Sequence, residues 1–264
     1  MEVLPSSLSG PAFLKMLAHD LRWQILRELS RSDYRGLELV ERLQQPQNLI
    51  SYHLRLLATH HLVSERRSAA DGRDIYYSLN LDVLRERYAA TATMLHPVVG
   101  NFSASKPEGG LIQLHKPVRV LFLCTENSAR SQMAEGLLRH LAGEMIEVCS
   151  AGSEPSQVHP YAVQVLARMG IDISHATSKH LDVFLDQTFD VVITVCDRMR
   201  ECCPAFPGKD EPIHWSLPDP VSLDVASEQE RYAAFEQIAQ QLLTRLRHLL
   251  ARLAYAQRHQ KQTA

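Results

Sequence analysis

Cysteine is missing from the first 123 residues of this 264-residue chain; all five, Cys124, Cys149, Cys196, Cys202 and Cys203, lie beyond them. That placement excludes thiol chemistry from the first half. It also reads as catalysis, redox chemistry or metal binding rather than a disulfide framework. The opening residues, MEVLPSSLSG, lack a basic segment followed by an apolar one, so they do not read as a signal peptide. Long apolar runs are absent too: none approaches the roughly 20 residues that span a bilayer. The expected location is the cytoplasm, with no membrane contact. A dominant charge is also lacking. The formal net charge is −2, and residues 1–96 carry twelve Lys and Arg against eleven Asp and Glu. Any contact with nucleic acid must therefore rest on where the cations stand.

What is present is an ordinary globular composition, 45% hydrophobic and 22% charged, in a chain long enough for two domains at roughly 100–200 residues each. Residues 97–116, PVVGNFSASKPEGGLIQLHK, mix Pro, Gly, Ser and Lys without periodicity and read as a linker. Before it, in residues 1–96, Leu14, Leu17, Leu21, Ile25 and Leu29 form one apolar stripe at helical spacing. A short helix over about 36–44 and another over about 47–61 follow, the latter turning Ile50, Leu54 and Leu57 inward. Asp71-Gly72 then sits between two strand-like runs, which is a hairpin signal, and a helix over about 81–95 (Leu81, Leu84, Tyr88) closes this half. The order predicts a winged helix-turn-helix, mainly α with a β-hairpin wing. After the linker, in residues 117–264, strands alternate with helices. VRVLFLC (118–124) and DVVITVC (190–196) are the central strands, 146–151 and 212–215 the others. Helices fall at about 131–142, 160–169 and 227–255. Alternation of this kind predicts an α/β domain with a parallel sheet. Ligands in such sheets sit beyond the carboxyl ends of strands, where Cys124 and Cys196 both stand.

The strongest motif runs from Cys124 through Thr125, Glu126, Asn127, Ser128 and Ala129 to Arg130 and Ser131. A cysteine, five residues and an arginine link a buried strand to a helix. Backbone N–H groups of such a loop can cradle a tetrahedral oxyanion, helped by the positive end of the helix. Arg130 can clamp two oxygens with its planar fork. The same field favours the Cys124 thiolate, the nucleophilic form. Asn127 and Ser131 are placed to hydrogen-bond the sulfur or hold the loop. A bare match of this spacing is common; its position between strand and helix gives it weight.

With its continuation, CTENSARSQMAEG resembles the signature of arsenate reductases built on the low-molecular-weight tyrosine-phosphatase fold. Gln132 stands where true phosphatases usually have proline. The resemblance runs over about 117–252 and takes in Ser150-Ala-Gly152, His175–Ser178 and His214-Trp215. Two residues depart from it. Glu126 stands where relatives usually carry glycine, and an acid there is unfavourable unless it points outward. Lys179 stands where some members have an aspartate that helps bind potassium, which puts that ion in doubt.

The resemblance implies a disulfide relay. Cys124 attacks arsenate, Cys196 attacks Cys124 as arsenite leaves, and Cys203 takes the disulfide from Cys196 and presents it to thioredoxin, an external reductant. No tightly bound cofactor is implied. Cys202 either substitutes for Cys203 or stands by, and Cys149, in a strand, reads as inert core. A zinc site is disfavoured because Cys202-Cys203 lacks the usual two-residue spacing. Asp219, in Leu-Pro-Asp-Pro, matches the acid on the loop facing the active cysteine and assists oxygen loss or tunes the thiol.

In the first half, QQPQNLISYHLRLLATHHLVSERR resembles the helix-turn-helix of arsenic-responsive repressors, over about residues 10–95. The resemblance implies double-stranded DNA as a partner and a homodimer formed by the outer helices. Gln47, Asn48, Ser51, Tyr52 and Arg55 lie off the buried stripe and would face the major groove. Arg66, Arg67 and Arg73 suit phosphates or the minor groove. His53, His60 and His61 read as helix-surface or DNA-facing residues. Arsenite-sensing relatives carry a Cys-x-Cys where this chain has Arg35 and Leu37, so that sensor is missing. Asp82, Glu86 and His96 offer only a weak metal set. Three functions follow: a reductase joined to a regulator, a regulator whose phosphatase-like half senses an oxyanion or redox state, and a protein tyrosine phosphatase.

Overall fold

The apolar stripe that begins at Leu14 does not run through one helix. The structure, a computed structural model, describes residues 9–100, 114, 116–207, 211–221 and 227–260. The chain divides into two compact units, Met1–Glu108 and Gly109–Ala264. In the first, α1 (Gly10–Leu17) and α2 (Asp20–Leu29) are separate helices, broken where His19 turns extended at φ −102° and ψ 122°. Arg22 stabilises the break. Its Nε donates to the Met16 carbonyl at 2.6 Å and its Nη2 to that of Lys15 at 3.0 Å. Two carbonyls that the end of a helix leaves unpaired are thus satisfied by one side chain. Leu14 is 49% exposed and falls outside the stripe expected of it.

A two-residue strand, β1 (Tyr34–Arg35), leads into α3 (Gly36–Leu43). The chain turns at Gln44 with a left-handed φ of 51° and enters α4 (Gln47–Thr59) behind Pro46. Strands β2 (Val63–Arg67) and β3 (Ile75–Leu79) form an antiparallel hairpin, and β1 pairs on the other side of β3, giving the order β1-β3-β2. Strand β1 is too short to leave a periodic trace in sequence. Phe13, Leu17, Leu21, Ile25, Leu39, Ile50, Leu54 and Leu57 make the core. Helix α5 (Leu81–Leu95) lies against α1 through the rings of Phe13 and Tyr88, centroids 6.4 Å apart, yet none of its residues is buried. The expected linker is helical at its start, in α6 (Pro97–Gly100). Most of its remainder, 101–113 and 115, lies outside the described residues, but Leu114 is buried in the core of the second unit.

The second unit alternates as its sequence pattern predicts. Its elements are β4 (Val118–Cys124), α7 (Arg130–Ala142), β5 (Ile146–Gly152), α8 (Pro160–Arg168), β6 (Val191–Thr194), α9 (Asp197–Cys202), β7 (Ile213–His214) and α10 (Glu228–Gln260). The sheet is wholly parallel, in the order β5-β4-β6-β7. Strand β4 reads as a continuous apolar run because it is central and covered on both faces, with Val120, Leu121, Phe122 and Leu123 all at 0% exposure. Helix α10 buries Phe235, Ile238, Leu242, Leu246 and Leu249. The order of the sheet sets the site. Strands β4 and β6 are neighbours, and just past them the Val195 N–H donates to the Leu123 carbonyl at 2.8 Å. Cys124 and Cys196 therefore leave the sheet side by side. No described helix is long and apolar enough to cross a membrane.

Candidate active site

Asn127 organises the loop between β4 and α7. Its backbone takes a left-handed φ of 49°, a conformation that Asn tolerates better than most residues. Its N–H then meets the Cys124 sulfur at 3.1 Å. Its side chain is wired on both sides. The Lys179 backbone N–H donates to Asn127 Oδ1 at 2.8 Å. A backbone N–H can only donate, so it fixes which end of the amide is oxygen. Asn127 Nδ2 must then donate to Ser131 Oγ at 2.9 Å and Ser150 Oγ at 2.8 Å. Ser150 passes its own proton to Glu135 Oε2 at 2.6 Å. Ser131 is left with its hydroxyl proton for Cys124 Sγ, 2.9 Å away. Gln132 closes the back of the loop, its Nε2 donating to Asn127 O and Oδ1 and to Thr177 O, each at 3.1 Å.

The loop rests on the end of β5. Glu154 N donates to Thr125 O, Ser156 N to Glu126 O and His159 N to Ser128 O, each at 2.9 Å. Such close approach requires a residue without a side chain at Gly152. A Cβ there would lie 2.8 Å from Asn127 N and nearer still to Thr125 O. Glu126 is exposed, and Ser128 and Ser156 each donate to its Oε2 at 3.2 Å. The acid thus points outward, the one condition under which the loop tolerates it.

Arg130 is 8% exposed. Its Nη1 donates to Leu217 O at 3.2 Å and its Nη2 pairs with Asp219 Oδ2 at 3.1 Å. The structure thus brings together Cys124, Arg130 and Asp219, which are distant in sequence. Cys196 joins them. It caps α9, is 3% exposed, and lies 3.4 Å from Thr125 Oγ1. Cys203 follows the last turn of α9 and packs against the core, its Sγ 3.5 Å from Pro204 O. Cys202 ends the helix and is exposed. Cys149 is half-buried in β5, and burial pushes its thiol up.

The sulfurs are less acidic than the sequence led us to expect. Burial is the largest effect on Cys124 and raises it, with the charge of Cys196 acting the same way. Arg130 and the Ser131 hydrogen bond pull it down without overcoming burial. Burial also holds Cys203 up, to about 11. Each therefore keeps its proton at neutral pH until something else takes the proton or the thiol moves.

A second buried network was not legible in sequence. Asp197, at the first turn of α9, accepts from Ser216 Oγ at 2.9 Å and lies 3.2 Å from His214 Nε2. Thr194 Oγ1 sits 2.9 Å from His214 Nδ1. The His214 and Asp197 side chains are both wholly buried. They tie the helix that carries Cys196 to β6 and β7. The only sequence signal is a histidine in a short strand and an Asp after a cysteine, neither informative alone. Lys179, too, finds a place. Its Nζ lies 3.7 Å from Glu135 Oε2, and a cation at this position does not fit a carboxylate ligand for potassium. Among the described residues, no group of three or more His, Cys, Asp or Glu is arranged to hold a metal.

In the first unit, Gln47, Asn48, Ser51, Tyr52 and Arg55 are all exposed on α4, opposite buried Ile50, Leu54 and Leu57. Arg66 donates to Arg67 O at 2.8 Å, and Arg67 to Gly72 O at 3.1 Å, so both are drawn along the hairpin. Arg73 forks onto Asp71, and the pairing lowers that carboxyl to about 2. Part of its charge is thus committed within the turn. His53 corrects an expectation. It is 2% exposed and its ring lies tilted against that of His19, centroids 4.4 Å apart, because the face it shares with Ile50, Leu54 and Leu57 is the inner one. His60 and His61 follow α4 rather than extending it.

Comparison with known proteins bears on the second unit. The low molecular weight phosphotyrosine protein phosphatase family matches residues 119–259. A protein named arsenate reductase from Halalkalibacterium halodurans is 39% identical over 128 residues, which are 48% of this chain and 91% of that one. The arsenate reductase of Bacillus subtilis is 37% identical over the same length and shares. A solved arsenate reductase in a phosphate-binding state shares 34% identity, with a TM-score of 0.43, and aligns over 52% of this chain and 98% of its own.

Proposed function

We propose that this chain, which belongs through residues 119–259 to the low molecular weight phosphotyrosine protein phosphatase family, reduces arsenate to arsenite in the cytoplasm and joins that activity to DNA binding. The observation that carries the enzymatic part is the convergence of two thiols on one oxyanion loop. Cys124 ends β4 inside the loop, and Cys196, beyond the neighbouring strand, lies 3.4 Å from that loop's Thr125. A phosphatase needs only the first. Reduction of arsenic needs two electrons, and two thiols becoming one disulfide supply them.

Arsenate sits in the loop of residues 125–131 with Arg130 on two of its oxygens. Cys124 Sγ bonds to arsenic. The thiol proton leaves with one arsenate oxygen as water, which removes the difficulty of a thiol that burial keeps protonated. Asp219, held beside Arg130, is placed to relay that proton from the thiol to the oxygen. Cys196 Sγ then attacks Cys124 Sγ. The sulfur–arsenic bond breaks, its electron pair stays on arsenic, and arsenite leaves with the Cys196 proton. Cys203, at the far end of α9, takes the disulfide from Cys196 and frees Cys124. Thioredoxin, from outside, reduces the last bridge by the same exchange. No tightly bound cofactor takes part.

The first unit binds duplex DNA as a homodimer in this reading. Gln47, Asn48, Ser51, Tyr52 and Arg55 face the major groove from α4, and Arg66, Arg67 and Arg73 meet the backbone from the hairpin. The support is the single exposed polar face of α4 behind a tight turn from α3.

The test of the enzymatic part is arsenate-dependent NADPH consumption through thioredoxin and its reductase. The parent turns over, Cys124→Ser and Cys196→Ser fall to background, and aryl phosphate hydrolysis is weak in all three. Strong hydrolysis without arsenate turnover would make the chain a phosphatase. For the DNA part, Arg55→Ala weakens duplex binding by about 1–3 kcal/mol if it reads a base. A parent that shows no salt-dependent affinity for any duplex would remove the regulator from the reading.

A further inference from the structure

The thiols at the end of α9 are two, adjacent, and in different surroundings. Cys203 packs against the hydrophobic core and is only half-exposed. Cys202 is exposed, remains within the helix, and donates its S–H to the Arg198 carbonyl one turn back, at 3.1 Å. A protein reductant arriving from solvent therefore meets Cys202 first. Cys203, half-buried against the core, is the less accessible of the two.

Neither thiol can meet Cys196 while α9 is intact. At 1.5 Å rise per residue, α9 alone, from Asp197 to Cys202, spans about 7.5 Å along its axis, with Cys196 and Cys203 beyond its two ends. A disulfide holds its Cα atoms roughly 4.4–6.8 Å apart. The helix must unwind for either pairing. Its first turn is anchored by Asp197 to His214 and Ser216, Met199 is buried in the core and Arg200 holds Pro212 O and Glu211, so the end that opens first is the exposed pair Glu201 and Cys202. Carrying Cys202 to Cys196 moves Met199 but leaves Cys203 free to follow without crossing the core. Bringing Cys203 over costs its core packing as well. The electrostatics run the same way: after burial, the charge of Cys196 is what raises Cys202, and for Cys203 it is the charge of Cys202.

Resting on the arsenate-reductase reading, we infer that Cys202 is a further catalytic thiol, a second exit for the disulfide that works in parallel with Cys203. Cys202 attacks the Cys196 sulfur of the Cys124–Cys196 bridge. The Cys196–Cys202 bond forms, the Cys124–Cys196 bond breaks, and Cys124 leaves as the thiolate. A proton passes from Cys202 to solvent or to Cys124, and no net oxidation occurs. A dithiol protein of the thioredoxin class then attacks Cys202, the more exposed sulfur.

The experiment compares the full chain with Cys202→Ser, Cys203→Ser and the double variant. Each is assayed for thioredoxin-coupled arsenate turnover. Each is also oxidised with diamide, blocked, digested and mapped by mass spectrometry. Both single variants are expected to keep more than about a tenth of the parent's turnover, and the double variant to fall to background. Oxidised Cys203→Ser should contain a Cys196–Cys202 bridge, which that variant identifies without ambiguity. Background turnover in Cys203→Ser with full turnover in Cys202→Ser, and no such bridge, would overturn the inference. If the parent itself fails to reduce arsenate, the reductase reading falls, while the diamide map still decides whether Cys202 exchanges with Cys196.

Discussion

Replacing Gly152 with alanine is expected to remove nearly all oxyanion binding and turnover while the unit stays folded. The added methyl would stand 2.8 Å from Asn127 N and closer to Thr125 O, and both contacts are backbone, which cannot swing aside as a side chain would. Either β5 or the loop must retreat. Either retreat shifts the loop against Gly152, and with it the Asn127 N–H that faces the Cys124 sulfur. Displacing a reacting group by about 1 Å costs on the order of 100-fold in rate, and here the nucleophile's support and the anion cradle shift together. Arsenate turnover should fall by at least that factor. Thermal unfolding should drop by only a few degrees. Near-parental turnover in Gly152→Ala would mean that the loop has slack the geometry does not reveal.

His214→Leu is expected to act through stability instead. His214 and Asp197 are wholly buried and within 3.2 Å of each other. Removing His214 takes one buried hydrogen-bond partner from Asp197, which keeps Ser216, and one from Thr194, at a cost of about 1–3 kcal/mol. Denaturant unfolding at neutral pH should show a loss of that size for the second unit. Adding Asp197→Asn to the same chain should recover part of it, because a neutral amide then replaces the buried carboxyl that lost a partner. A loss below about 1 kcal/mol, or a double variant worse than the single, would count against the network as a structural tie. Because Asp197 opens α9, the single variant should also loosen the helix between Cys196 and Cys203.

The parts of the fold that sequence made legible are those with a one-dimensional signature. β4 announces itself as an unbroken apolar run, α10 as a stripe, the Asp71-Gly72 turn as a pair, and the oxyanion loop as a cysteine and an arginine at fixed spacing between strand and helix. What was not legible depends on contacts across the chain. The stripe from Leu14 to Leu29 has helical spacing throughout, yet the chain breaks at His19 because Arg22 caps the first helix from the second. Nothing in the order of residues marks that bond. His53 looks polar and was expected at the surface, but its position on α4 puts it on the inner face, against His19. Gly152 looked like one residue of a matched stretch; its necessity appears only when the loop is seen lying on it. The acidity of Cys124 was misjudged for a related reason. The loop's favourable contacts are readable from residue types, whereas the depth at which the sulfur is buried is not.

The wiring behind Cys124 has a direction, and that direction begins at an atom that does not titrate. Lys179 contributes its main-chain N–H, which is a donor at every pH the protein survives. From there the amide of Asn127 can be oriented only one way, and each serine downstream has a single proton whose destination is already decided. Ser150 points its proton away from the site and Ser131 points its proton into it. The arrangement behaves like a diode for hydrogen bonding: the sulfur is offered a donor and never an acceptor.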